Sequence, residues 1–184
     1  DDSSFSSVRD NLAGVPDRMK TRIRWYQNKT NLLLSNPVLE QKIKSGRLGK
    51  KESFLLSNLK ENLLGIKINQ LIEMVSKELP AEQEFLFKRM IPTLNVSYNR
   101  QYFESPNGLR ITIDDEIKFK SNFFLNFSID KFQHISYGSK IIELKFDPSV
   151  KNEVNDLLRL LSLTPTRHSK YLIGLAMFGQ AQYI

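Results

Sequence analysis

The run from residue 18 to residue 26, Arg-Met-Lys-Thr-Arg-Ile-Arg-Trp-Tyr, alternates between cationic and uncharged side chains. Successive side chains of a β-strand point to opposite faces, so a period of two predicts a strand. Arg18, Lys20, Arg22 and Arg24 fall on one face, and Met19, Thr21, Ile23 and Trp25 on the other. Like charges crowded on one strand face repel one another, and either bulk water or a bound polyanion relieves them. Two architectures satisfy this demand. An open antiparallel sheet keeps the charges in water and the apolar face on the core. A sheet closed into a barrel places the charged face in its interior. Periodicity alone leaves both open.

The same alternation recurs along the chain. A polar turn at Gln27-Asn28-Lys29, with Asn28 as its turn residue, leads to a strand over 38–44. There Glu40, Lys42 and Lys44 alternate with Leu39, Gln41 and Ile43. Ser45-Gly46 bends the chain before a further extended run, 47–54. Helices are predicted over 69–78 and 81–90, separated by Pro80. Strands 93–103 and 109–114 flank the turn Ser105-Pro106-Asn107-Gly108 as a hairpin. In 140–146, Glu143 and Lys145 lie opposite Ile142, Leu144 and Phe146. Pro148-Ser149 opens a helix whose stripe of Val150, Val154, Leu157, Leu158 and Leu161 is expected to pack in the core. Residues 164–169 link it to a short apolar terminal segment.

Charge narrows the class of partner. Of the net +7, the segment 16–60 carries more than the whole, with eleven Lys and Arg against three Asp and Glu. A basic segment in an otherwise neutral chain points to nucleic acid, an anionic membrane or a phosphorylated small molecule, or else to a solvated basic face. The absence of cysteine excludes disulfides, thiol catalysis and Cys-type zinc sites, and fits a cytoplasmic location. With only His134 and His168, a His-rich metal site is excluded as well. The apolar stretch 172–178 is too short to span a membrane, so no membrane segment is expected in this chain. No Walker loop, Gly-x-Gly-x-x-Gly or nucleophile elbow occurs. Trp25, Tyr26, Tyr98, Tyr102 and Phe103 are interleaved with cations and suit base stacking, but aromatics at strand spacing equally suit a core.

Particular words of sequence carry a family resemblance. Arg22-Ile23-Arg24-Trp25-Tyr26 and Leu39-Glu40-Gln41-Lys42 resemble early strands of the VTC domain, the catalytic module of the vacuolar transporter chaperone polyphosphate polymerase and its bacterial relatives. Tyr98-Asn99-Arg100 with Phe103, then Leu109-Arg110-Ile111-Thr112-Ile113-Asp114, resemble its central hairpin. Ile142-Glu143-Leu144-Lys145 is similar to a later strand, and Thr166-Arg167-His168-Ser169-Lys170-Tyr171 to its closing signature, with His168 where Phe is usual.

The resemblance implies an α+β fold: an antiparallel β-barrel, the triphosphate tunnel, with flanking helices. Residues 1–184 are expected to form one such domain, with Asp1-Asp2-Ser3 in the middle of its second strand and the first strand and helix missing. The family's phosphate-binding catalytic cations fall on Arg22, Arg24, Lys42, Arg100, Arg110 and Lys170. Lys20 and Lys145 are the accompanying cofactor-binding candidates, and Glu143 is the metal ligand, for Mn²⁺ or Mg²⁺. Strand parity agrees for Arg22, Arg24, Lys42, Arg110 and Glu143, whereas Arg100 shares its face with Val96, Tyr98 and Tyr102.

The implied activity is polyphosphate synthesis, with ATP and polyphosphate as partners and no nucleic acid. Arg forks bind phosphate oxygens bidentately at any working pH, and phosphoryl transfer needs placement and charge stabilisation more than covalent help. A non-catalytic polyphosphate-binding domain, a triphosphate hydrolase and an open-faced nucleic-acid-binding module are the rivals. The oligomeric state is not fixed by the sequence.

Overall fold

A computed structural model describes residues 1–28, 31–46, 48–59, 67–121 and 134–181. The alternating basic run lies in strand β1, Arg18–Asn28, which pairs antiparallel with β2, Asn31–Ser45, and through it with β3, Leu48–Leu55. The register sets Arg18 opposite Lys44, Lys20 opposite Lys42 and Arg22 opposite Glu40, and Lys42 in turn opposite Lys51. One face of this sheet therefore concentrates Arg18, Lys20, Arg22, Arg24, Lys42, Lys44 and Lys51. Its other face carries Ile23, Trp25, Leu39 and Phe54, which pack on helices α2, Ile68–Ser76, and α3, Ala81–Phe87. Leu71, Val75, Leu79 and Phe87 supply the helical side of that core. The helices thus cover the apolar face and leave the basic face free.

The second sheet is built on the hairpin of β4, Leu94–Glu104, and β5, Arg110–Ser121, with the short strands β6, Ile135–Ser136, and β7, Ile141–Lys145, end to end along the far edge of β5. Gly108 takes the left-handed conformation (φ +83°) that closes the hairpin turn. Arg100, Asp114 and Ile141 share one face, as do Tyr102, Thr112 and Glu143, and Glu104, Arg110 and Lys145. Within β5 the register shifts opposite Ser97–Asn99, and Glu116 adopts φ +51°. This bulge reverses parity, so the buried Ile117 and Phe119 face the same side as Asp114. Onto that apolar end packs α5, Lys170–Met177, pressed so close that a Cβ on Gly174 would lie 2.5 Å from Leu94 and 2.7 Å from the Phe119 ring.

Several expectations are corrected. Asp1-Asp2-Ser3 is not part of a strand. The Asp2 carboxylate accepts hydrogen bonds from the Ser4 and Ser6 amides and the Ser6 hydroxyl, which folds the lead into a turn before α1, Ser6–Leu12. Val8 of α1 then packs with Leu172 and Leu175 of α5. Strand β2 begins before the expected residue 38, because the register shift around Tyr26 accommodates Asn36 (φ +50°) and Pro37 within the extended chain. Asn28 belongs to β1, while Lys29 and Arg47 lie outside the described residues. The helix opened by a 3₁₀ turn at Pro148–Val150 is α4, Lys151–Leu160, and it buries Val150 and Val154 but leaves Leu161 exposed, so its stripe is core only at the N-terminal end.

The architecture is α+β, with antiparallel sheets and flanking helices. Among the described residues no strand pairing joins β1 or β3 to the second sheet, so a closed barrel is not formed by them. Gly174→Val is expected to cost about 1–3 kcal/mol through overpacking against Leu94 and Phe119. A melting temperature several degrees lower would register it, and an unchanged one would refute the packing of α5.

Candidate functional site

On the basic face of the first sheet, Glu40 is 3% exposed although it sits among cations. The Arg22 Nε donates to its Oε2 at 2.7 Å, Lys51 Nζ reaches Oε1 at 2.6 Å, and Arg24 Nε lies 3.3 Å from Oε1. Burial pushes the Glu40 carboxyl up, but hydrogen bonds from Lys51 and Arg22 and the charge of Arg24 outweigh it, and the net effect is downward. Further along this face Lys20 has no carboxylate partner among the described residues. Burial lowers its pKa, and the charges of Arg18, Lys42 and Arg167 lower it further.

The second sheet repeats the device. Asp114, 1% exposed, accepts from Arg100 Nε at 2.5 Å and from an Arg100 Nη at 2.7 Å, while Lys170 Nζ meets its second oxygen at 2.5 Å. Burial raises the Asp114 pKa, yet the hydrogen bonds from Arg100 and Lys170 prevail and lower it. The Ser169 hydroxyl caps α5 by accepting from the Leu172 amide, which presents Lys170 at the helix start.

The two faces meet. Tyr26 on β1 hydrogen-bonds Tyr102 on β4, which raises the Tyr26 pKa. Tyr98 lies beneath Arg100 and Lys170, each 5.0 Å from its ring centroid, and also feels the charge of Arg22. Arg167, just before α5, acts on Lys20 across the same gap. Arg22 and Arg24 of the first sheet thus come near Arg100 of the second, through Tyr98 and Tyr26, and Lys20 comes near Arg167.

Arg100, Arg110, Glu143 and Lys145 are brought together with Thr112, Tyr102 and Glu104 around a cavity of about 220 Å³. Glu143 is 44% exposed there, with Lys145 at 3.2 Å. Among the described residues no group of three His, Asp or Glu forms a metal cage. An exposed carboxylate beside Arg and Lys, with Glu104 on the same lining, suits a hard divalent cation that takes its remaining ligands from phosphate and water. Arg110, with no ion pair of its own among the described residues, faces this cavity. A larger hollow of about 580 Å³ beside α4 is lined by Asn155, Leu158, Arg159 and 162–165, and its one cation is spent on Asp156. It lacks the means to hold a polyanion.

Glu40 and Asp114 were legible only as members of alternating strands, since their cation partners lie on other strands and on α5. Lys51 went unassigned for the same reason. A family model described as the VTC domain matches residues 1–179. No curated protein matches the chain.

Glu40→Gln is expected to cost about 1.5–3 kcal/mol at neutral pH, the worth of charge-assisted hydrogen bonds. Because the folded pKa of Glu40 lies below its ordinary 4.5, its contribution is full above that value and is lost as pH falls through the lowered one. The gap in melting temperature between the two proteins should therefore close in acid, and a gap that stays constant from pH 7 to about 3 would refute this role.

Proposed function

The chain belongs to the VTC domain family, and we propose that it is an ATP-dependent polyphosphate polymerase. The observation that carries this reading is the approach of cations from both sheets, Arg22 and Arg24 near Arg100 and Lys20 near Arg167, beside a cavity lined by Arg110, Glu143 and Lys145. The family's association with polyphosphate synthesis supports the substrate class.

In the proposed reaction a terminal oxygen of the polyphosphate chain attacks the γ-phosphorus of ATP. A new P–O bond forms as the bond from the γ-phosphorus to the β–γ bridging oxygen breaks, and ADP leaves with that electron pair. The attacking oxygen is already anionic and needs no general base, in keeping with a chain that has two histidines. Arg110 and Arg100 would grip the equatorial oxygens, and the cations of β1 and β2 would hold the phosphate chain in line. Mn²⁺ or Mg²⁺ held by Glu143 and phosphate oxygens would neutralise charge on the transferring group. The facing basic walls are also what a triphosphate tunnel closed by further strands would require.

The Glu143–Lys145 pair favours a second reading, a polyphosphate-binding domain without turnover, because a carboxylate engaged by a lysine is less available to a metal. Full-length protein incubated with ATP and Mn²⁺ separates the possibilities. Polymer is the expected product; free phosphate alone would indicate a hydrolase, and neither product with retained polyphosphate binding would indicate a binding domain. Glu143→Gln should abolish turnover while leaving tripolyphosphate binding within a few-fold, and undiminished turnover would refute the metal role. Tripolyphosphate at a hundred times its dissociation constant should stabilise the fold by about 2.7 kcal/mol, a melting-temperature rise of several degrees. Arg110→Ala should sharply reduce that rise. Single-stranded nucleic acid at equal phosphate should produce little of it, and an equal response to both would favour an open basic face.

A further inference from the structure

Asp114 presents an electrostatic contradiction. It lies on the face that carries Arg100 and Arg110, where an anionic ligand would be repelled by it. It is nonetheless buried and bound to two of the cations proposed to hold phosphate. A carboxylate whose only effect were its charge would weaken the site.

Its geometry offers a different role. Arg100 spends Nε and one Nη on the Asp114 oxygens and a further donor on Tyr102, so one edge of the guanidinium is clamped and two of its five donors are left for a ligand. The Tyr98 and Tyr102 rings lie 5.0 and 5.8 Å from the same guanidinium, fixing its plane. The second Asp114 oxygen takes Lys170, the first residue of α5. One carboxylate thereby sets the positions of two cations from two different elements. An unclamped arginine would have to surrender rotamer freedom on binding, whereas this one has already done so.

We propose that Asp114 is a positioning residue for phosphate binding, holding Arg100 and Lys170 in the arrangement that a triphosphate meets. This rests on the phosphate-binding part of the function proposed above, but not on turnover.

The role gives an effect opposite in sign to that of charge. Titration calorimetry of tripolyphosphate into the full chain, at fixed ionic strength, reads it. Asp114→Asn keeps the shape and adds one positive charge to the site, yet it should lose about tenfold in affinity, because the grip on Arg100 becomes single and Lys170 is released. Asp115→Asn makes the same change of charge one residue away, at a carboxylate paired with the exposed Lys140, and should bind as tightly as the wild type or slightly more so. In an Arg100→Ala background, Asp114→Asn should lose much less than it does alone, which separates action through Arg100 from a general loss of structure. Equal or tighter binding by Asp114→Asn overturns the proposal and leaves the phosphate reading intact. Wild-type protein that does not bind tripolyphosphate overturns the phosphate reading, and the proposal with it. Should Asp114→Asn fail to fold, the wild type alone decides: the Arg100 Nε–H should remain protected from exchange with and without tripolyphosphate. Loss of that protection on binding would mean that the guanidinium leaves Asp114 for the ligand, and would refute a fixed clamp.

Discussion

Two buried carboxylates hold five of this structure's cations in place. Among the described residues seven lysines and arginines share one sheet face with a single acid, Glu40, and without it Arg22, Arg24 and Lys51 would have only water between their charges. Asp114 does the same for Arg100 and Lys170. Water and a bound polyanion are not the only ways to relieve a crowded basic strand. A carboxylate set one strand over does so permanently, at the cost of its own desolvation, and several hydrogen bonds offset that cost. The lowered pKa of each acid, despite burial, expresses the balance.

The rest of the fold follows from keeping those clusters on facing walls. Helices α2 and α3 take the apolar side of the first sheet, which obliges its basic side to look away from them. The second sheet turns Arg100, Tyr102 and Asp114 toward that basic side, and the Tyr26–Tyr102 hydrogen bond marks the meeting. Helix α5 both seals the apolar end of the second sheet through Gly174 and delivers Lys170 to Asp114. Core packing and site geometry are therefore not separable at this helix. Lys20 and Lys42 face each other across the strands with no carboxylate partner among the described residues, and charge remains unbalanced there.

Local pattern made much of this legible. The period-two run at β1, the Ser105–Gly108 turn and the Pro80 break between α2 and α3 each state their structure within a few residues, and each is where the sequence places it. The faces of Arg22, Arg24, Lys42, Arg110 and Glu143 were readable for the same reason. Arg100 was ambiguous because its face also carries Val96 and Tyr98; the structure makes Tyr98 a partner of the cation rather than its competitor. What stayed hidden depends on register and tertiary contact. Nothing near Glu40 announces that Arg22 will be opposite it, and nothing near Asp114 announces Lys170. The extension of β5 was concealed by its acidic triplet, which breaks alternation at the residues where the bulge restores it. Helix α1 was concealed by a short polar lead whose turn is visible only once Asp2 is seen bound to Ser6.

The bulge at Glu116 makes the strand's meaning depend on residue count rather than residue identity. Before it, even-numbered positions of β5 face the cations; after it, odd-numbered ones face the core beneath α5. Almost any single substitution there leaves that assignment standing. Deleting one residue would not, because Ile117 and Phe119 would exchange sides with their polar neighbours and half the strand would be turned inside out. For this segment the length of the chain is inherited information in its own right, distinct from the identity of the side chains it carries.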